Sequence, residues 1–141
     1  MRVIVAGVGS DGRSGVLEER DARFDQALPG LGVFGLFNTS ESPPPARPPG
    51  HGELVDLGLT AGLCTWNVWR HDPGLEVPTH HTDTVDFEVI LEGSVELILD
   101  DGVHLLQPGD CVVMQGVDHA WRAGEQGCVM CALNLGTAPA T

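Results

Sequence analysis

One stretch of the chain gathers side chains that can hold an ion or move a proton: Pro78-Thr79-His80-His81-Thr82-Asp83-Thr84-Val85-Asp86-Phe87-Glu88. Read as an extended strand, it places His80, Thr82, Thr84 and Asp86 on one face and His81, Asp83, Val85 and Phe87 on the other. A bulge within the run would change the later parities. A further histidine, His119, sits in Gly116-Val117-Asp118-His119-Ala120-Trp121. Two neutral imidazoles and one carboxylate make the facial set that binds iron, manganese, zinc or nickel and leaves positions open for substrate. A carboxylate or imidazole in an apolar pocket also has a tunable pKa, so Asp86 and His81 are the candidate proton-moving groups.

The elements that must position these groups read as short strands. Arg2 to Ala6 and Ser14 to Glu18 flank Gly9-Ser10-Asp11-Gly12 and predict a hairpin over 2–19. Leu31 to Asn38 predicts a further strand or edge, and Glu18 to Leu28 is a weak helix candidate. Ser42 to Gly50 holds five prolines in nine residues, which cannot feed a ladder and predicts an extended surface loop. From residue 52 strand and turn alternate: Cys64 to His71, a turn at Asp72-Pro73-Gly74, and a long strand from Pro78 to Glu92 broken at Gly93. Ser94 to Leu99 and Val103 to Leu106 flank the tight turn Asp100-Asp101-Gly102. Cys111–Met114, His119–Arg122 and Cys128–Leu135 complete the set. Spacing of about ten residues with Gly or Pro punctuation argues a sandwich or barrel. Residues 1–51 supply N-terminal strands and a Pro-rich loop packing on a barrel over 52–141, in one structural domain. Its edge strands need covering.

Composition removes several alternatives. The net charge of −13 arises from twenty Asp and Glu against seven Lys and Arg, a field that repels a phosphate backbone, so no nucleic-acid partner is expected. No apolar run approaches the roughly 20 residues that span a bilayer, so no membrane partner is expected either. The start of the chain lacks the pattern of a secretory signal, which predicts a cytoplasmic protein. Cys128 and Cys131 form a C-x-x-C within a strand. Residues three apart point to opposite strand faces, so buried thiols are expected there rather than a zinc or redox site.

With these motifs in view, the sequence resembles the cupin superfamily. Gly74, His80, Asp86 and Gly93 fall on the spacing of its first motif, with Thr82 where a second His belongs and Asp86 where Glu belongs. Pro108-Gly109-Asp110 and Gly116 to His119 match its second motif, with Met114 in place of Pro and Ala123 in place of Asn. His80 to Asp86 and Gly109-Asp110 to Trp121-Arg122 look more narrowly like small cupins that accompany secondary-metabolite genes, as do Asp11-Gly12-Arg13-Ser14 and the segments Pro29-Gly30 and Asn38-Thr39.

The resemblance implies an all-β jelly-roll barrel (a double-stranded β-helix) with extra N-terminal strands, and a homodimer. It implies His80, His119 and Asp86 as ligands of a divalent transition metal (Fe, Zn, Ni or Mn), with Glu88 and His81 competing for the third place. Trp66 or Trp69, Thr82, Val95, Leu97, Met114 and Trp121 are the expected pocket, suited to a flat or polyketide-like small molecule. His51, His71 and His104 read as structural or solvated. The implied activity is a metal-assisted, non-oxidative lyase or isomerase. The alternatives are an Fe(II)-dependent dioxygenase and a metal-free binding barrel.

Overall fold

The computed structural model describes residues 1–48 and 50–140; Pro49, in the Pro-rich loop, and Thr141 lie outside the described residues. β1 (Arg2–Val8) and β2 (Ser14–Asp21) form the expected hairpin, and β3 (Asp25–Leu28) and β4 (Leu31–Val33) pair as a small separate ribbon. Next come β5 (Glu53–Leu54), β6 (Cys64–His71), β7 (Glu76–His81) and the long β8 (Thr84–Leu99). β9 (Gly102–Leu106), β10 (Cys111–Met114) and the equally long β11 (His119–Gly136) complete the chain. The main sheet runs β2-β1-β10-β8-β11-β7-β5, with β6 added to β11 and β9 to β8. The architecture is an all-β sheet curled into a half-barrel, with no helix among the described residues.

The curl of this sheet comes from its two long strands. The first part of β11 pairs with β7 and its last part with β6, while β8 follows it along both parts. Their register shifts between Ala123 and Cys128, so one twisted ribbon feeds two layers. At that corner Gly93 has φ 70°, and a Cβ there would meet the Gly127 carbonyl oxygen at 2.0 Å. Only glycine lets the two backbones approach so closely. The expected break at Gly93 is therefore a bend within β8, and the expected strands 119–122 and 128–135 are one strand, β11.

The true break lies earlier, between β7 and β8, at Thr82 and Asp83. The buried Arg47 guanidinium sets it: Nη1 donates to the Thr84 carbonyl at 2.8 Å and Nη2 to the Thr82 carbonyl at 3.2 Å. Those carbonyls turn away to meet a side chain from the Pro-rich loop. Gly116 allows this, because a Cβ there would strike the Arg47 guanidinium.

The interior holds Ile4, Ile90, Val95, Leu97, Leu106, Val112, Met114 and Trp121, all buried. A second cluster on the outer face joins Val3, Val5, Val85, Cys111 and Val113, and Phe34, Phe37 and Phe87 pack against it. The N-terminal strands are part of the sheet itself, since β1 runs parallel to β10 with Val3–Ala6 against Cys111–Met114. Two expectations are corrected. Glu18 to Leu28 holds no helix: it is the end of β2 followed by β3, because Arg2, Val3 and Ile4 pair with Asp21, Arg20 and Glu19. The strand expected over Leu31 to Asn38 ends at Val33, since Phe34 and Phe37 leave the ribbon to cap the outer cluster.

Candidate active site

Between the two layers lies a cavity of about 220 Å³. β7 supplies His80, the break after it Thr82, and β8 Asp86 and Glu88; β11 supplies His119, Trp121, Met130 and Asn134; β6 supplies Trp69 and His71. The alternation read from the sequence accounts for the first group, because residues 80, 82, 86 and 88 share parity across the 82–83 break.

His80 and His119 are register partners on β7 and β11, with ring centroids 4.2 Å apart. Each ring is held the same way. His80 Nδ1 lies 2.9 Å from the Pro78 carbonyl and His119 Nδ1 lies 2.8 Å from the Val117 carbonyl. A carbonyl only accepts, so both Nδ1 atoms carry a proton, and a ring that is neutral keeps its lone pair on Nε2. Burial and the neighbouring His80 push the His119 pKa down to about 4, against the pull of the Val117 carbonyl. At neutral pH that ring is an uncharged base.

Asp86 is buried, and its Oδ1 takes two donors. Thr84 Oγ1 donates to Oδ1 at 2.6 Å and Asn134 Nδ2 donates to the same oxygen at 2.7 Å. Thr82 Oγ1 lies 2.7 Å from Thr84 Oγ1 and 3.4 Å from Asp86 Oδ2. Thr84 spends its only proton on Asp86, so Thr82 donates to Thr84 and the three form a relay. Burial raises the Asp86 pKa, opposed by Asn134, Thr84, the Arg47 charge and Thr82.

Glu88 is the contrast. Its Oε2 is sealed from solvent and has no partner, and burial, with Asp86 adding, raises its pKa well above the usual carboxylate range. Two expected neighbours on this strand thus hold different chemistry: one carboxyl takes two side-chain donors and the other none.

The remaining expected residues divide cleanly. Trp69, Thr82 and Trp121 line the cavity. Val95, Leu97 and Met114 do not; they point inward but lie in the packed core, fully buried. Trp66 is 78% exposed on the outer face, its indole N–H donating to Cys131 Sγ at 2.8 Å. It sits three residues from Trp69 on one strand, so the two must face opposite ways.

His81, expected as a proton-moving group, also points away from the cavity. Its Nδ1 meets Asp118 Oδ1 at 3.1 Å, while Asp83 accepts the backbone N–H of Ala140. Burial alone would raise the Asp118 pKa, but the N–H groups of His51 and Gly52 and the His81 ring outweigh it and hold it low. His81 is therefore a structural clasp.

His71 was read as structural or solvated, yet it lines the cavity and its Nδ1 is buried without a partner. Its place two residues from Trp69 was the available signal. Asn134, opposite Asp86 in the β8–β11 register, left no such signal. Cys128 is buried while Cys131 meets Trp66 on the outer face, and all four thiols are free.

The donor set fits a metal ion through two atoms. Nε2 of His80 and of His119 have the tautomer and the carbonyl-anchored Nδ1 that ligating imidazoles need. Among the described residues, no three His, Cys, Asp or Glu side chains are grouped to hold one ion. Asp86 Oδ1 is taken by Thr84 and Asn134, so Asp86 could join only through Oδ2.

No family model matches the chain. It is 41% identical over 51 residues to "Phomopsin biosynthesis cluster protein C'" of Diaporthe leptostromiformis, which covers 36% of this chain and 27% of that protein. It is 42% identical over 50 residues to "Cupin-domain-containing oxidoreductase srdD" of Neurospora crassa, covering 35% of this chain and 26% of the relative. The matched segments thus span about a quarter of these relatives' length. Among solved structures, the polyketide cyclase RemF of Streptomyces resistomycificus superposes with a TM-score of 0.48 at 22% identity, over 53% of this chain and 56% of that one. No helix is long and apolar enough to cross a membrane among the described residues.

Proposed function

We propose that this cupin-type barrel is an enzyme that moves protons on a small organic molecule by non-oxidative chemistry, as a lyase, isomerase or cyclase does. One observation carries the reading: two facing imidazoles, of which His119 is uncharged, share a cavity with a carboxyl that no protein group satisfies. In such a cavity His119 Nε2 accepts a proton from the substrate, and Glu88 supplies one at the other end. Groups placed this way contribute about 10²- to 10⁴-fold each. Trp69 and Trp121 exclude water and orient a flat substrate, while Asp86, held by Thr84 and Asn134, fixes the wall behind the reacting atoms. A divalent transition ion would be held by His80 and His119, where it would act as a Lewis acid polarising a carbonyl. The biosynthesis-cluster relatives support a secondary metabolite as the substrate. The homodimer belongs to the same proposal, read by light scattering.

The test incubates the protein with small aromatic and β-dicarbonyl compounds, following products by mass spectrometry and dissolved oxygen by electrode. Conversion without oxygen uptake, lost in His80→Ala and His119→Ala, is expected. Conversion unchanged in both variants contradicts the reading. The relative named an oxidoreductase favours a second reading, Fe(II)-dependent oxygenation at the same imidazoles, which oxygen uptake coupled to turnover would select.

A further inference from the structure

Among the described residues, five buried side-chain polar atoms have no partner, and three of them belong to residues lining the one cavity: His71 Nδ1, Glu88 Oε2 and Asn134 Oδ1. A buried polar atom without a partner costs about 1–3 kcal/mol, so this clustering on one wall asks for an explanation. Rotating the Glu88 carboxyl exchanges its two oxygens and cures nothing. The Asn134 amide cannot flip, because its Nδ2 is committed to Asp86 Oδ1 at 2.7 Å. The residues that carry these atoms line the cavity, so what occupies it is the nearest source of partners once their side chains turn toward it.

The kinds of atom narrow the ligand. Asn134 Oδ1 only accepts, so the ligand must bring a donor there. Glu88 accepts when ionised and also donates when protonated, and His71 Nδ1 does one or the other with its tautomer. A hydroxyl can answer any one of the three in either state, donating its single proton or accepting, whereas a carbonyl cannot answer Asn134. No Arg lines the cavity, and the chain has no Lys; in the metal-free protein a carboxylate or phosphate entering it would be desolvated with no Arg or Lys beside it. The rings of Trp69, His71 and Trp121 make flat walls. At about 220 Å³ the cavity exceeds the roughly 150 Å³ that admits benzene.

We propose that the ligand is an uncharged hydroxylated aromatic ring, and that Glu88, with Asn134, selects its hydroxyl. This rests on the reading that the cavity is the reactive site. A phenolic hydroxyl donates to Asn134 or Glu88 and accepts in return, and the ring lies against the indoles with its far edge toward His80 and His119.

The test uses phenol, toluene and benzoate, of which the first two share one shape and differ only in the hydroxyl. Indole N–H shifts in the NMR spectrum report binding, Trp69 and Trp121 from within the cavity and Trp66 from outside as a reference. Phenol is expected to shift the two cavity indoles and not Trp66, and to bind at least tenfold more tightly than toluene or benzoate. In Glu88→Leu the phenol preference over toluene should vanish while toluene still binds, which also shows that the variant is folded. The wild-type ranking decides by itself if that variant does not fold. Phenol and toluene binding alike in the wild type, benzoate matching phenol, or an unchanged preference in Glu88→Leu each overturn the selection by Glu88 and leave the cavity reading standing. If none of the three shifts the cavity indoles, the cavity reading falls and this inference falls with it.

Discussion

His80 and His119 face one another across the β7–β11 ladder with ring centroids 4.2 Å apart, each with Nδ1 tied to the carbonyl two residues before it. The i−2 carbonyl fixes the tautomer, and the tautomer decides what the pair can do: both Nε2 atoms are acceptors for a proton or an ion.

Ion binding should therefore depend on the imidazoles and not on Asp86. Zinc affinity, measured by competition with a chromophoric chelator, should fall at least tenfold in His80→Ala and in His119→Ala. In Asp86→Asn it should stay within about threefold, because among the described residues Asp86 is not grouped with the two imidazoles to hold one ion. A loss in Asp86→Asn as large as in the histidine variants would place Asp86 among the ligands.

The Thr82–Thr84–Asp86 relay should be a stability element. Thr84→Val removes the donor 2.6 Å from a buried carboxylate and should cost about 1–3 kcal/mol in urea unfolding. A change below about 0.5 kcal/mol would mean the carboxylate finds other partners.

Asp101 sets a pH dependence away from the site. Burial would raise its pKa, but the His104 ring at 2.7 Å and the Val16 N–H at 2.8 Å outweigh that and hold it low. A depressed carboxylate stabilises the fold above its unfolded pKa of about 3.9 and loses that contribution as pH falls through the folded value. Asp101→Asn should therefore be less stable than wild type at pH 6, by less than about 1 kcal/mol at this exposed position, and the gap should close below pH 4. A gap that persists at pH 2.5 would show packing, not charge, to be the cause.

Thiol reactivity should follow the burial of the four cysteines. Cys64 is exposed, whereas burial and the nearby Glu88 push the Cys128 thiol up to about 11 and burial also raises Cys111. Under native conditions iodoacetamide at pH 8 should label Cys64 at least tenfold faster than Cys128, read by peptide mass spectrometry. Equal rates would mean that β11 opens readily.

How far the sequence foretold this molecule depends on the range of the interaction. Turn chemistry placed the Asp100–Gly102 hairpin, and strand parity put His80, Thr82 and Asp86 on one face, because both are local. Parity did not separate a cavity wall from a packed interior: Leu97 and Met114 point inward as expected, yet neighbours fill the space around them. The same rule could have rejected Trp66 once Trp69 was chosen. Arg47 and Asn134 were illegible, since one reaches Thr82 and Thr84 from 35 and 37 residues away and the other meets Asp86 across 48. The bend that merges two expected strands into β11 likewise depends on Gly93 and Gly127 meeting across the sheet.

The most direct measurement of the central claim is deuterium incorporation from D₂O into small enolisable aromatic ketones, followed by NMR with wild type, His119→Ala and Glu88→Gln. The account predicts exchange well above buffer for the wild type and a loss of about 10²-fold or more in His119→Ala, with both variants still folded. Exchange no faster than buffer for every ketone, or equal in wild type and His119→Ala, would contradict it.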